Sequence, residues 1–191
     1  LDTLSSASSG YWKLPDSLEP NAVMPYYWGM KGTDGTGNEL PLFLYLHGSG
    51  PKEREWSTGL KICRNFDDAP SVYFIPQIPN EAKQFAWEKL LRQSLLLVKI
   101  EPNRVYVFGI SEGGYGSQRL ASFYADYWAA AGPMAGGEPL KNAPAENCSN
   151  IAFSLRTGDK DTGFYRNTLT GYVREAFDSL AHQHPGYFTH K

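Results

Sequence analysis

The chain predicts a single α/β domain built on a mostly parallel sheet. Three observations carry this. Apolar runs such as Leu42-Phe43-Leu44-Tyr45-Leu46 and Val72-Tyr73-Phe74-Ile75 do not alternate, as strands covered on both faces should read. Strand-like and helix-like segments follow one another along the chain, which calls for right-handed parallel crossovers. From Val105 to Tyr124, a strand, a tight glycine turn and a helix run on without interruption.

Residues 1–20 are punctuated by Ser and Pro and are expected to lie over the surface as a lead, with residues 21–191 forming the domain. Residues 24–30 have strand composition, and 31–38 form a turn dense in Gly and Asp. The next strand, 42–47, ends at His47-Gly48-Ser49-Gly50. Residues 51–70 are polar and irregular, with room for a pocket wall or a short helix. A strand over 71–77 is stopped by Pro76 and Pro79. Ala82, Phe85, Ala86, Leu90, Leu96 and Leu97 then recur at helical spacing, which predicts a helix over 81–99 that stops before Pro102. Beyond the helix that ends near Tyr124, residues 127–137 read as a short strand and a loop of small residues, and 138–150 as a loop. A strand is expected over 151–158. A helix follows over 168–180, with Leu169, Tyr172, Val173, Ala176, Phe177 and Leu180 on one face. Residues 186–191 look like the opening of a last strand.

At 191 residues the chain can bury a real core. The formal charge of −2, without a basic block, argues against nucleic acid and anionic membrane as partners. No stretch is apolar enough to insert in a bilayer. Five Trp and twelve Tyr are read mainly as core. Spacing leaves open whether Cys63 and Cys148 are bonded, and no Cys/His cluster suggests a metal. The first residue is Leu, which implies removal of an upstream segment. The Ser-rich start suits a mature exported protein and a disordered cytosolic tail equally well, and the trimmed start favours a periplasmic or secreted place over a cytoplasmic one.

The chemistry centres on Gly109-Ile110-Ser111-Glu112-Gly113. A strand running into Gly-x-Ser-x-Gly and then a helix is the setting of a nucleophile elbow. Its serine sits on a strained turn, so only small residues fit around it. Gly109 and Gly113 leave that room, and Gly114 lets the helix pack closely. The turn also presents Ser111 to the N-terminus of a helix, whose free N–H groups favour negative charge. Gly48, Ser49 and Gly50 form a second glycine turn after an early strand, suited to bringing backbone N–H groups to an oxygen. Glu112 fits two roles: a carboxylate facing a polar substrate, or a favourable charge at the helix start.

These segments, with Glu101-Pro102-Asn103-Arg104 and Thr157-Gly158-Asp159-Lys160-Asp161, resemble the α/β-hydrolase superfamily. More narrowly, the chain is similar to bacterial esterases related to feruloyl esterases and polyhydroxybutyrate depolymerases, over roughly residues 40–190. The resemblance implies a three-layer sandwich, whose C-terminal end the chain stops short of. It implies Ser111 as nucleophile and Asp161 as acid, with Asp159 the fallback. Gly48, Ser49 and the Glu112 N–H would form the oxyanion hole. The superfamily order places a histidine after the acid. His184 and His190 are the candidates, with His182 beside them, unless the base lies beyond Lys191. His47 is read as structural.

The activity implied is cleavage of carboxylic esters through an acyl-enzyme, with no cofactor or metal. Small-molecule or oligosaccharide esters would be the substrates, acylated polysaccharide fragments among them. Two other readings remain at this point. One is a serine peptidase of prolyl-oligopeptidase type; the other is a hydrolase-like binding protein that has lost catalysis.

Overall fold

The computed structural model describes residues 8–13, 23–32, 39–65, 70–77 and 100–190. The chain divides into two compact units, Leu1–Arg104 and Val105–Lys191.

In the first unit, strands β1 (Ser8–Lys13), β2 (Val23–Lys31), β3 (Leu40–Leu46) and β4 (Ser71–Pro76) lie in the order β1-β2-β4-β3. β3 and β4 are parallel, with Leu42 opposite Val72 and Leu44 opposite Phe74. β2 runs antiparallel to both β4 and β1. The unalternating runs are explained by burial on both faces: Leu42, Tyr45, Leu46, Val72, Tyr73 and Ile75 are all buried. Each such side chain contributes about 1.5–3 kcal/mol of transfer free energy.

The structure revises the sequence reading of this unit at one place and decides between its alternatives at another. Ser8–Lys13, inside the segment read as a surface lead, forms a strand against β2. Only Tyr11 and Trp12 of its six residues favour strands, so the strand depends on its pairing with β2. Residues Lys52–Arg64 form a thirteen-residue helix, α1, packed on β3 and β4. Glu53 and Glu55 in its first turn, and Lys61 and Arg64 in its last, complement the helix dipole. Its Trp56 meets the Tyr27 ring edge-on at 4.2 Å. The helix expected over 81–99 falls outside the described residues.

In the second unit, β5 (Ile100–Ile110, entering at Val105), β6 (Ala130–Met134) and β7 (Ala152–Phe153) are parallel and in that order. Helices α2 (Glu112–Phe123) and α3 (Arg166–Gln183) complete it. The strand expected over 151–158 narrows to two ladder residues. Beyond them the main chain still bonds β6, Ser154 N–H to the Ala131 carbonyl and Arg156 N–H to that of Pro133. The last strand is reduced to one bridge, Phe153 to His190.

Helix α3 buries Val173 and Phe177, and the Phe177 ring packs 4.8 Å from Phe153 and 6.4 Å from Phe188. Tyr172, expected on this face, is instead 55% exposed. It lies about 100° around the helix from Val173, and Val173 and Phe177 occupy the centre of the contact. At the C-terminus of α2, the Trp128 indole N–H donates to the Leu120 carbonyl at 3.1 Å.

Cys63 and Cys148 are both buried and no disulfide joins them, which settles the open pairing. Burial, and then Glu146, push the Cys148 thiol up to about 12. No described helix is long and apolar enough to cross a membrane.

Candidate active site

One residue, Ser111, separates the end of β5 from the start of α2. Its backbone is left-handed, φ 56° and ψ −118°, a conformation that costs a non-glycine residue about 1–3 kcal/mol. Two hydrogen bonds hold it there. The Ser111 N–H donates to the Met134 carbonyl at 2.9 Å, and its own carbonyl accepts from the Tyr115 N–H at 3.0 Å. The side chain is half-buried, and among the described residues its hydroxyl makes no hydrogen bond. The Glu112 N–H, first of the helix, is likewise uncommitted among the described residues. A helix start always leaves such donors. Glu112 is half-buried, and its charge lies where the dipole favours it.

The turn is seated from behind by close backbone packing. A Cβ on Gly114 would lie 2.5 Å from the Met134 carbonyl oxygen and 3.1 Å from the Gly136 Cα. Gln118 on the buried face of α2 exchanges two 3.1 Å hydrogen bonds with the main chain of Glu138. The buried Glu138 carboxylate accepts from Asn142 Nδ2 at 2.7 Å and faces Arg119 Nε at 3.4 Å. The loop after β6 is thereby fastened to the elbow helix.

Asp161 lies in the turn between β7 and α3. Its carboxylate is held in a fork by Arg166, Nε to Oδ2 at 2.8 Å and Nη2 to Oδ1 at 2.6 Å. These bonds keep the Asp161 carboxyl below its ordinary value, since burial opposes them only weakly. The pair interacts electrostatically with Tyr115 on α2. Burial pushes that phenol up, Arg166 pulls it down, and Glu138 and Asp161 push it up again. A carboxyl depressed in the folded state contributes stability above its ordinary value of 3.8, and that stability is lost as the pH falls through the folded value. Urea unfolding measured from about pH 5 to about pH 2 is therefore expected to weaken more steeply for wild type than for Asp161→Asn; parallel curves would show that the fork adds nothing.

The histidines lie elsewhere. His190 directs Nε2 to Asp178 Oδ1 at 2.9 Å and Nδ1 to the Phe188 carbonyl at 3.1 Å, with its ring stacked on Phe177. His184 is exposed at the end of α3, its ring 6.1 Å from that of Phe188. His182 is exposed. Among the described residues no hydrogen bond joins a histidine to Ser111 or Asp161. Asp159 is exposed, and its Oδ1 accepts from the Lys160 N–H at 3.0 Å.

No family model matches the sequence, and neither does any curated protein. Solved structures do match. A thermostable esterase aligns over 97% of this chain and 54% of its own, with a TM-score of 0.76 at 21% identity. The Staphylococcus aureus fluorophosphonate-binding serine hydrolase FphF aligns over 97% and 89%, with a TM-score of 0.69 at 13% identity. A ferulic acid esterase aligns over 90% and 86%, with a TM-score of 0.63 at 13% identity. The chain has the α/β-hydrolase fold. It spans only about half the length of the thermostable esterase.

Ser111 thus stands on the turn between a parallel strand and the helix that follows it. Three residues that the sequence reading passed over belong to these surroundings or to the glycine turn of the first unit. Arg166 forks the Asp161 carboxylate, and Tyr115 interacts electrostatically with the pair. In the first unit, Glu55 on α1 accepts from the Gly48 N–H at 2.9 Å, so that amide is already engaged, while Ser49 and Gly50 are exposed. Glu55 reads in the sequence as one more charge of a polar stretch, and only the formation of α1 brings it back onto the strand end.

Proposed function

We propose that the protein is a serine hydrolase of carboxylic esters that works through an acyl-enzyme on Ser111. The observation that carries this reading is the strained Ser111 backbone at the mouth of α2, with an uncommitted N–H beside it on Glu112. A serine has no packing reason to hold φ 56°, and strain of this kind concentrates where a side chain must be presented.

A histidine takes the Ser111 proton as the hydroxyl oxygen attacks the ester carbonyl. The oxygen of the tetrahedral intermediate takes up the Glu112 N–H and a second donor. The sequence reading gives that second place to the Gly48–Ser49 turn, where the Gly48 N–H is already engaged by Glu55. One such donor is worth about 3 kcal/mol in the transition state. The alcohol leaves with the proton from the histidine, and water releases the acyl group by the reverse steps. Asp161 orients the histidine and stabilises its cation. His190 has both ring nitrogens engaged, so His184 and the residues encoded after Lys191 are the places to look for the base. A Gly-His pair within about 10 to 15 residues would supply it. Acylated oligosaccharides and small aryl esters are the substrate classes assigned.

The test is covalent. An alkyl fluorophosphonate incubated with the full-length protein is expected to add one phosphonyl group, which peptide mapping places on Ser111 and which Ser111→Ala abolishes. Aryl esters and dipeptidyl amides are then compared side by side. Faster amide cleavage would replace this reading with the peptidase one. No adduct and no turnover would leave a binding protein.

A further inference from the structure

Asp161 is assigned its role by its place in the fold, yet it sits on a turn, and turns are poor at holding a group to fractions of an ångström. The structure meets that need from one side. The Asn167 N–H donates to the Asp161 carbonyl at 3.1 Å, and Asn167 Nδ2 donates to the Asp159 carbonyl at 3.0 Å. The Arg166 fork then ties the carboxylate itself to the first turn of α3. Arg166 is placed in turn by its neighbours, with its guanidinium 5.6 Å from the centre of the Phe164 ring. Phe164 and Tyr165, the two residues before it, are both held left-handed, at φ 55° and 57°. Two strained residues in succession lead directly into the arginine.

We propose that Arg166 is a positioning residue for catalysis: its guanidinium fork holds the Asp161 carboxylate in the single orientation from which it can receive the catalytic histidine. This rests on the proposed roles of Ser111 and Asp161. A carboxylate has about four acceptor sites. The fork takes two, so an imidazole N–H can still be accepted. Side-chain exposures of 20% for Arg166 and 23% for Asp161 leave the pair open to such a partner. Lysine, a point charge on a flexible stem, cannot reproduce the fork.

The fork has an electrostatic consequence that mere packing lacks. The guanidinium draws charge from Asp161 and so weakens its hold on an imidazolium. The other titratable and charged groups near the pair are Tyr115 on α2, which also feels Glu138 after β6, and Asp159 and Lys160 on the same turn. With Arg166 removed, the histidine becomes easier to protonate, and the acidic limb of kcat/KM moves to higher pH.

The full-length protein is assayed on a short p-nitrophenyl ester as wild type, Arg166→Gln, Arg166→Lys and Asp161→Asn, each with a thermal unfolding curve. Arg166→Gln is expected to lower kcat about tenfold with KM within about twofold, and to raise the acidic limb by about half a pH unit. Arg166→Lys is expected to keep the wild-type limb and recover only part of kcat. Wild-type kcat in Arg166→Gln, or equal losses in both variants with neither limb moved, overturns the proposal. If Arg166→Gln does not fold, Arg166→Lys decides alone: full wild-type kcat overturns the need for a fork, and reduced kcat at an unmoved limb supports it. Wild-type turnover in Asp161→Asn, where about a 10⁴-fold loss is expected, instead sinks the underlying assignment of the acid.

Discussion

Ser111→Ala in the full-length protein is expected to lower kcat/KM on a short aryl ester by about 10⁵-fold, and Ser111→Gly to do the same while making the protein more stable than Ser111→Ala. The two variants separate chemistry from strain. Both remove the hydroxyl, so both lose nucleophilic catalysis. They differ at the backbone, where Ser111 stands at φ 56° and ψ −118°. Alanine keeps the Cβ that makes this region costly, about 1–3 kcal/mol. Glycine relieves it, at an entropic cost in the unfolded chain of roughly 0.5–1 kcal/mol. The net gain of Ser111→Gly over Ser111→Ala is about 1 kcal/mol, or roughly 2–4 °C in Tm for a chain of this size. A glycine variant that melts below the alanine variant would mean that the turn stores no strain. Retained turnover in either would remove Ser111 from the mechanism.

This stretch was the most legible part of the sequence because all of its signals are local. The apolar run, the glycines and the helix from Ser117 onward fall within twenty residues, and each reports on its own neighbours. The helix begins five residues earlier than that run suggests, at Glu112, because the turn itself supplies its first bonds. What sequence could not show depends on partners. Ser8–Lys13 becomes a strand only through β2, starting fifteen residues downstream at Val23. Helix α1 was left open against a pocket wall because Lys52, Glu53, Arg54, Glu55, Lys61 and Arg64 outnumber its apolar residues, although Glu53, Glu55, Lys61 and Arg64 suit its ends. Tyr172 satisfied the helical period as well as Val173 did, but period says which side faces inward, not how wide the contact is. The turn that carries Asp161 was legible in Gly158-Asp159-Lys160-Asp161, whereas the Arg166 fork across a left-handed turn was not, since no regular spacing brings those residues together.

Gly114→Ala is expected to lower ester turnover about 100-fold, and to destabilise the protein, without touching a reacting group. The new methyl would sit 2.5 Å from the Met134 carbonyl oxygen and 3.1 Å from both the Cα and the nitrogen of Gly136. All three are backbone atoms, so no rotamer change relieves the contact, and α2 must move away from the loop after β6. Overpacking of this kind costs about 1–3 kcal/mol. The Met134 carbonyl that would be struck is also the acceptor of the Ser111 N–H at 2.9 Å. A shift of α2 therefore loosens one of the two bonds that hold the serine in its strained turn. A displacement of about 1 Å at a reacting group can lower turnover about 100-fold. Gly171→Ala is the control. It adds the same methyl inside α3, where nothing lies within 4 Å, and is expected to stabilise by about 0.5–1 kcal/mol with activity unchanged. Thermal unfolding and ester turnover, measured on both variants, give opposite signs for stability if close backbone packing governs the elbow. Wild-type behaviour of Gly114→Ala would show that the helix and the loop can part without cost, and that the geometry of Ser111 does not depend on their contact.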